Sequence, residues 1–319
     1  MKDFVVGIDI GGQTCKLGVV DAAGRVLSRE VIKTSDNPDA SVIVGELAAA
    51  VSKVVDASGR KGQIRGIGVG APNANYYTGV VSHAVNLPWA AHSEVPFASM
   101  LSAACDGLPV AITNDANAAA MGEMTYGAAK GLRHFIMITL GTGVGSGIVV
   151  NGEVLYGSDG FAGELGHTCA VRHNGRLCAC GKNGCLEAYC SAIGVARTAR
   201  EWLDASDEPS LLRKVSDITS KDVYEAALAG DKLARRVFDF TGRILGEKLA
   251  DFVAFSAPQA FVLFGGLARA GEFLYQPTLD AMEANLLPIW KGKVKILFSN
   301  LDESDAAILG ASALAWETR

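Results

Sequence analysis

Four residues in one short stretch carry the donor set of a metal site. His167, Cys178, Cys180 and Cys185 follow the pattern H-x10-C-x-C-x4-C. Imidazole and thiolate are preferred ligands of Zn2+, and four of them close a tetrahedral site. Gly181 and Gly184 let the backbone wrap tightly around an ion. Four protein ligands leave no open position, so zinc here is expected to be structural and not catalytic. The competing reading is a chance cluster of reduced thiols. No C-x-x-C redox pair is present, and Cys15, Cys105, Cys169 and Cys190 are scattered.

A second chemistry lies in two glycine-rich turns. Asp9 sits near the end of an apolar run and is followed by Gly11, Gly12, Gln13 and Thr14, with Lys16 just beyond. A buried carboxylate is rare unless paired or bound to a cation. Magnesium usually keeps several waters, so Asp9 would hold it through water. Residues 140–145, which include Thr142 and Gly143, repeat the arrangement. Glycine lets the backbone approach a phosphate and aim N–H groups at it. One such turn reads as an ordinary hairpin, whereas two in a repeat read as holding a triphosphate from both sides. Lys16 reads either as a phosphate contact or as a surface charge. Neither a Walker A pattern nor a G-x-G-x-x-G at a strand-to-helix turn is present, which argues against P-loop and Rossmann chemistry. Asp115 follows an apolar strand and opens a helix, a position for a general base or for an N-cap. The residues alone do not decide between these.

The elements that must position these groups are legible as alternation and periodicity. Residues 4–10, 17–20, 25–33, 64–69 and 109–113 read as strands, and 40–56 has helical spacing. Asn114 or Asp115 caps an Ala-rich helix to about residue 126. Residues 135–155 repeat the strand–turn–strand–turn–strand pattern of 4–27, a weak internal duplication that predicts two related domains with a cleft between them. Beyond 186 the chain reads as mostly helical, with a long amphipathic stretch over 231–255 and strands over 260–264 and 294–298. The 260–264 strand ends in Gly265 and Gly266, and a closing helix spans 304–316. A chain of 319 residues with 49% hydrophobic residues suits two domains. A net charge of -5 argues against nucleic acid as the main partner. No apolar run is long enough to span a bilayer, and the first strand starts at Phe4 with no signal peptide before it. A cytoplasmic protein with reduced thiols is expected.

The 9–14 turn, the 140–145 turn and the 261–266 strand end resemble the two phosphate motifs and the adenosine motif of the actin, hexokinase and heat-shock ATPase superfamily. The resemblance implies an α/β protein of two ribonuclease-H-like domains flanking a central nucleotide and sugar cleft, expected here as 1–117 with 303–319, and 118–302. Gln13 departs from the Thr or Ser usual in the first motif. Gly163-Glu164-Leu165-Gly166-His167 before the cysteines and residues 181–187 after them resemble the ROK family (repressor, open reading frame, kinase). Residues 70–73, 86–89 and 114–118 match it too. Membership implies an ATP-dependent sugar kinase using Mg-ATP and structural zinc, with glucose the first-choice acceptor. N-acetylmannosamine, fructose, mannose and allose are the alternatives. It implies Asp115 as catalytic base, and a sugar pocket of Asn73, Asn114, Asp115, Glu164, His167 and Glu187. The ATP contacts would come from Asp9, Gly11, Gly12, Gln13, Thr14, Lys16, Thr142, Gly143, Gly265 and Gly266. A homodimer is the family's commonest state. The family's sugar-sensing repressors carry an N-terminal helix-turn-helix, for which a strand beginning at Phe4 leaves no room. A filament-forming ATPase would need neither the zinc block nor the Asn114-Asp115 pair.

Overall fold

The computed structural model describes residues 3–34 and 36–317. Residues 1, 2, 35, 318 and 319, and the side chains of residues 303 and 304, lie outside that description. Three strands come first: β1 (Phe4–Ile10), β2 (Thr14–Asp21) and β3 (Val26–Lys33). They form an antiparallel meander, with Asp9 paired to Lys16 across β1 and β2. Helix α1 (Ala40–Ser58) is capped by the Asp39 side chain at its start and by Gly59, at φ 67°, at its end. It buries Ile43, Val44, Leu47, Val51 and Val54, the residues whose spacing signalled a helix. Strand β4 (Ile64–Gly70) then pairs parallel to β1. A small hairpin, β5 (Val81–Ser82) with β6 (Glu94–Val95), precedes α2 (Phe97–Ala104). Strand β7 (Val110–Thr113) completes the sheet and leads into α3 (Asp115–Thr125). The order of this sheet is β3-β2-β1-β4-β7.

The pattern is then repeated. Strand β8 (Phe135–Leu140), β9 (Val144–Val150) and β10 (Glu153–Val154) are followed, after a long loop, by α4 (Glu187–Cys190), α5 (Ala192–Asp204), α6 (Ser220–Leu228) and α7 (Lys232–Ser256). Strand β11 (Ala260–Phe264), α8 (Glu272–Asn285), β12 (Lys295–Phe298) and α9 (Glu303–Ala315) close the chain. The second sheet has the order β10-β9-β8-β11-β12, with β11 parallel to both β8 and β12. This is the first sheet's order again, so the weak repeat in the sequence is a duplicated ribonuclease-H-like sheet. Helices α7 and α8 pack through small residues: a Cβ on Gly242 would meet Pro277 at 2.6 Å, and one on Gly246 would meet the Thr278 carbonyl at 2.2 Å.

Two compact units emerge, one of residues 1–132, 147–163 and 300–319, the other of 133–146 and 164–299. This division runs differently from the expected one, which ended the first domain at residue 117. The reason is close helix packing by glycine and alanine. A Cβ on Gly122 of α3 would lie 2.8 Å from Gly310 Cα of α9. Helix α9 in turn presses on the sheet, where a Cβ on Gly7 or Gly68 would strike the Ile308 or Ala311 carbonyl. The β9–β10 hairpin joins the same unit because Gly147 abuts Ala116 and Ala120 of α3. Among the described residues no helix is long and apolar enough to cross a membrane.

Candidate functional site

In the first unit the candidate residues gather where β1, β4 and β7 end. The turn after β1 is closed by Gly11 N–H donating to the Thr14 carbonyl at 3.0 Å. Buried Thr34 holds it from outside. Its hydroxyl donates to the Gly11 carbonyl at 2.6 Å, and its N–H donates to the Gln13 carbonyl at 2.9 Å. The Gln13 backbone is thus structural, while the Gln13 and Thr14 side chains are exposed. A Cβ on Gly12 would come within 3.3 Å of Asn86, so the turn lies against the 86–89 loop. Thr34 carries no local signal and was not among the sequence candidates.

Asp9 is half-buried, between its strand neighbours Lys16 and Gly70. Gly70 is the gap that admits the next element. A Cβ there would lie 3.2 Å from Ala118 Cβ, 3.7 Å from Asp115 Cα and 3.9 Å from Asp9 Oδ1. Burial, and then the charge of Asp115, pushes the Asp9 carboxyl up to about 6, against the opposing pull of Lys16. The choice of cap for α3 is settled by geometry. Asn114 is the N-cap, its side chain accepting from Ala116 N–H at 2.9 Å. Asp115 is the first helical residue, and its Oδ1 accepts from the same N–H at 2.8 Å. Solvent reaches the Asp115 side chain. The surrounding protein still strips enough water to raise its carboxyl above the ordinary carboxylate range, while the Ala116 and Asp115 amides pull the other way. Two carboxyls with raised proton affinity beside one helix N-terminus are a functional signature. Asn73 stands apart from them. It adopts φ 53° and donates through Nδ2 to the His83 carbonyl at 2.9 Å, pinning its own loop.

In the second unit the 140–145 turn follows β8. Gly141 N–H donates to the Gly143 carbonyl at 3.0 Å, and Gly145 N–H donates to Thr139 Oγ1 at 3.0 Å. Val144 N–H donates to Glu187 Oε2 at 3.0 Å. Gly265, at φ 102°, ends β11 against this turn, and a Cβ there would meet the Leu140 carbonyl at 2.7 Å. The structure therefore seats Gly265 against Leu140, where the turn holding Thr142 and Gly143 begins. Thr142 is exposed, and a Cβ on Gly266 would meet open space.

Residues 164–187 of the same unit hold the metal candidates. The ligand atoms of His167, Cys178, Cys180 and Cys185 all lie within 4.8 Å of one another. Cys178 Sγ is 3.8 Å from His167 Nδ1, and the Cys180 and Cys185 sulfurs are 3.6 Å apart. A tetrahedron with metal–sulfur bonds of ~2.3 Å has edges of about 3.8 Å, which the 3.6 Å and 3.8 Å separations match. A Cβ on Gly184, at φ 80°, would fall 1.9 Å from the Val171 carbonyl, which accounts for that glycine. Burial first of all pushes the Cys178 thiol up to about 12, whereas a backbone bond involving Lys182 leads the lowering at Cys180. With Nδ1 toward the sulfurs, His167 turns Nε2 toward Glu164 Oε2, 4.0 Å away. The 164–167 segment is fixed to β9: Ser146 Oγ accepts from Leu165 N–H at 3.2 Å, and a Cβ on Gly166 would lie 2.0 Å from the Val144 carbonyl.

One further residue holds the loop. The Arg176 side chain, 9% exposed, donates to Glu201, Thr198 and the carbonyls of Ala188 and Gly194. It also lies 4.6 Å from the Tyr189 ring centroid. Sequence reading passed over it, since an arginine in a charged loop has no distinguishing spacing.

Relatives bear on what this arrangement is for. The model of the ROK family matches residues 5–318. The chain is 37% identical over 316 residues to a glucokinase of Halalkalibacterium halodurans, a match covering 98% of this chain and 94% of the relative. A ROK family glucokinase from Streptomyces griseus, crystallised with glucose and AMPPNP, is 34% identical, with a TM-score of 0.79 over 98% of this chain and 99% of that one. A ROK hexokinase from Thermus thermophilus is 31% identical, with a TM-score of 0.83 over 98% of each chain. The fold expected from the glycine turns holds along the whole length, and the chain belongs to the ROK family.

Proposed function

We propose that the protein is an ATP-dependent kinase of a hexose hydroxyl, with conversion of glucose to glucose 6-phosphate the first choice. The observation that carries the reading is the placement of Asp115: it opens α3 next to the capping Asn114, is reached by solvent, and has raised proton affinity close to Asp9. That is the environment of a base that must take a proton from an alcohol and then release it.

In this reading the Asp115 carboxylate accepts the hydroxyl proton as the sugar oxygen bonds to the γ-phosphorus and ADP departs. The 11–14 and 140–145 turns offer backbone N–H groups to the phosphates, with Lys16 near the first and Gly265 and Gly266 near the adenosine. Asp9 would hold magnesium, and the ion would neutralise phosphate charge when bound. Asn114 caps through Oδ1, which leaves its Nδ2 to donate to a sugar oxygen. Asn73, Glu164, His167 and Glu187 supply the other polar contacts. Such contacts discriminate sugars strongly, because a missing hydroxyl leaves a buried partner unpaired. His167, Cys178, Cys180 and Cys185 would hold zinc in a structural role, which would orient the His167 ring and hold Glu187, two positions after the last cysteine. We read the protein as a cytoplasmic homodimer.

The test is ADP release from Mg-ATP across free hexoses and N-acetylhexosamines. Turnover with one sugar far above the rest supports the kinase and names its acceptor. Zinc-loaded protein that turns over with no sugar on the panel would overturn the reading.

A further inference from the structure

We propose that Glu187 is a positioning residue that couples the metal loop to the 140–145 turn, so that nucleotide affinity depends on the metal even with no sugar bound. The proposal rests on the kinase reading and adds a role to a residue so far assigned only to the sugar.

Its two carboxylate oxygens face different elements. Oε2 accepts from Val144 N–H at 3.0 Å, and Oε1 lies 3.4 Å from Cys178 Sγ. The metal loop also places the Glu187 backbone. Leu186 N–H donates to the Thr168 carbonyl at 2.9 Å, and Ala188 N–H donates to the Cys185 carbonyl at 3.1 Å. At the turn, a Cβ on Gly143 would fall 2.5 Å from Glu187 Oε2. The carboxylate thus lies against the turn, and a side chain at 143 would displace it. Val144 is gripped from its other side as well, where Gly166 lies against its carbonyl, one residue before the metal ligand His167. A further tie of the turn to a later helix is Ala192 N–H donating to the Gly141 carbonyl at 2.8 Å, from the start of α5. The turn's orientation thus passes through α4 and α5, and α4 begins with Glu187. A carboxylate has about four acceptor positions, so holding Val144 leaves room for a sugar hydroxyl.

The experiment is calorimetric titration of zinc-loaded full-length protein with Mg-ADP in the absence of sugar. Glu187→Ala should weaken binding roughly tenfold, the consequence of orphaning one half-buried N–H. Glu187→Gln should keep wild-type affinity, because its carboxamide oxygen still accepts from Val144. Stripping the metal from wild type should cost the same factor, and stripping it from Glu187→Ala should cost nothing further, since both break one coupling. Unchanged Mg-ADP affinity in Glu187→Ala, or losses from stripping and substitution that simply multiply, would overturn the coupling and leave Glu187 to the sugar alone. Wild type that binds no Mg-ADP would instead reject the kinase reading on which the coupling stands.

Discussion

The two units solve the same problem by opposite means. In the first, the chemical groups stand on regular elements. Asp9 is a strand residue, Asp115 the first residue of a helix, and the turn between β1 and β2 is tied down by Thr34. In the second, Glu164, His167 and Glu187 ride on irregular backbone, a single 3-10 turn and a four-residue helix. Only isolated bridges, Cys169 with Cys185 and Leu177 with Asn183, run through the described part of that segment, and cross-links add to them: the metal donors, the Arg176 clamp and the Glu187–Val144 bond. The groups of the first unit should therefore fail through their charges and those of the second through their ties.

The sharpest break in that comparison is Asp115→Asn. The expected loss in kcat is about 10²–10⁴-fold, the range for a missing general base, with sugar affinity and melting temperature near wild type. The wild-type acid limb should lie above the ordinary carboxylate range, because burial holds the Asp115 proton more tightly. Steady-state kinetics against pH checks both, and a variant with near-normal kcat would remove Asp115 from the chemistry. Metal removal should break the other half. A displacement of about 1 Å in positioning groups costs on the order of 10²-fold, so stripped protein should lose that much kcat/KM. Hydrogen exchange should show protection lost over residues 140–145 and 164–187 while β1, β2 and β4 keep theirs. Uniform loss across both sheets would mean that the metal supports the whole chain and not one unit.

The sequence pointed to candidate groups for binding and reaction and missed those that hold them in place. The metal donors were legible because three cysteines and a histidine at that spacing have few other uses. The glycine turns were legible because they occur twice. Thr34 was not, since its partner Gly11 lies far from it in sequence and only the sheet brings them together. Gly70 reads as one more glycine in a strand, until the fold puts Asp9 and the start of α3 around it. The compact units run differently from the expected domains for a related reason: an Ala-rich helix looks the same whichever neighbour it packs on, and α3 packs on α9 through glycines Gly122 and Gly310. Gln13, which departs from the superfamily pattern, contributes its carbonyl to the turn, and any residue type supplies a carbonyl.

A smaller effect tests the clamp. Arg176→Ala removes the donor shared by Glu201, Thr198 and two carbonyls and should lower stability by about 1–3 kcal/mol in urea unfolding, with faster zinc loss to a chelator. Arg176→Lys should not restore it, because an ammonium cannot span the fork of Glu201, Thr198 and two carbonyls. Full rescue by lysine would reduce the clamp to a simple charge.

The smallest expected effect is on the strand side and turns on sign. The Asp9 carboxyl is raised from 3.8 to about 6 in the folded protein. A group whose folded value lies above its unfolded value binds protons more tightly when folded, so it favours the folded state only while protonated. Its contribution is complete below 3.8 and is lost as the pH climbs toward 6. Above that, folding must hold a charge that burial and Asp115 both oppose and only Lys16 supports. Asp9→Asn should therefore raise the melting temperature at pH 7.5 by a few degrees, roughly what 1 kcal/mol gives a chain of this size, and leave it unchanged at pH 4. Millimolar magnesium with ADP should erase that difference by stabilising wild type alone. A variant that is less stable than wild type at pH 7.5 without magnesium would show that Lys16 outweighs the carboxylate pair, and the strand side would then be held by attraction, not strained by repulsion.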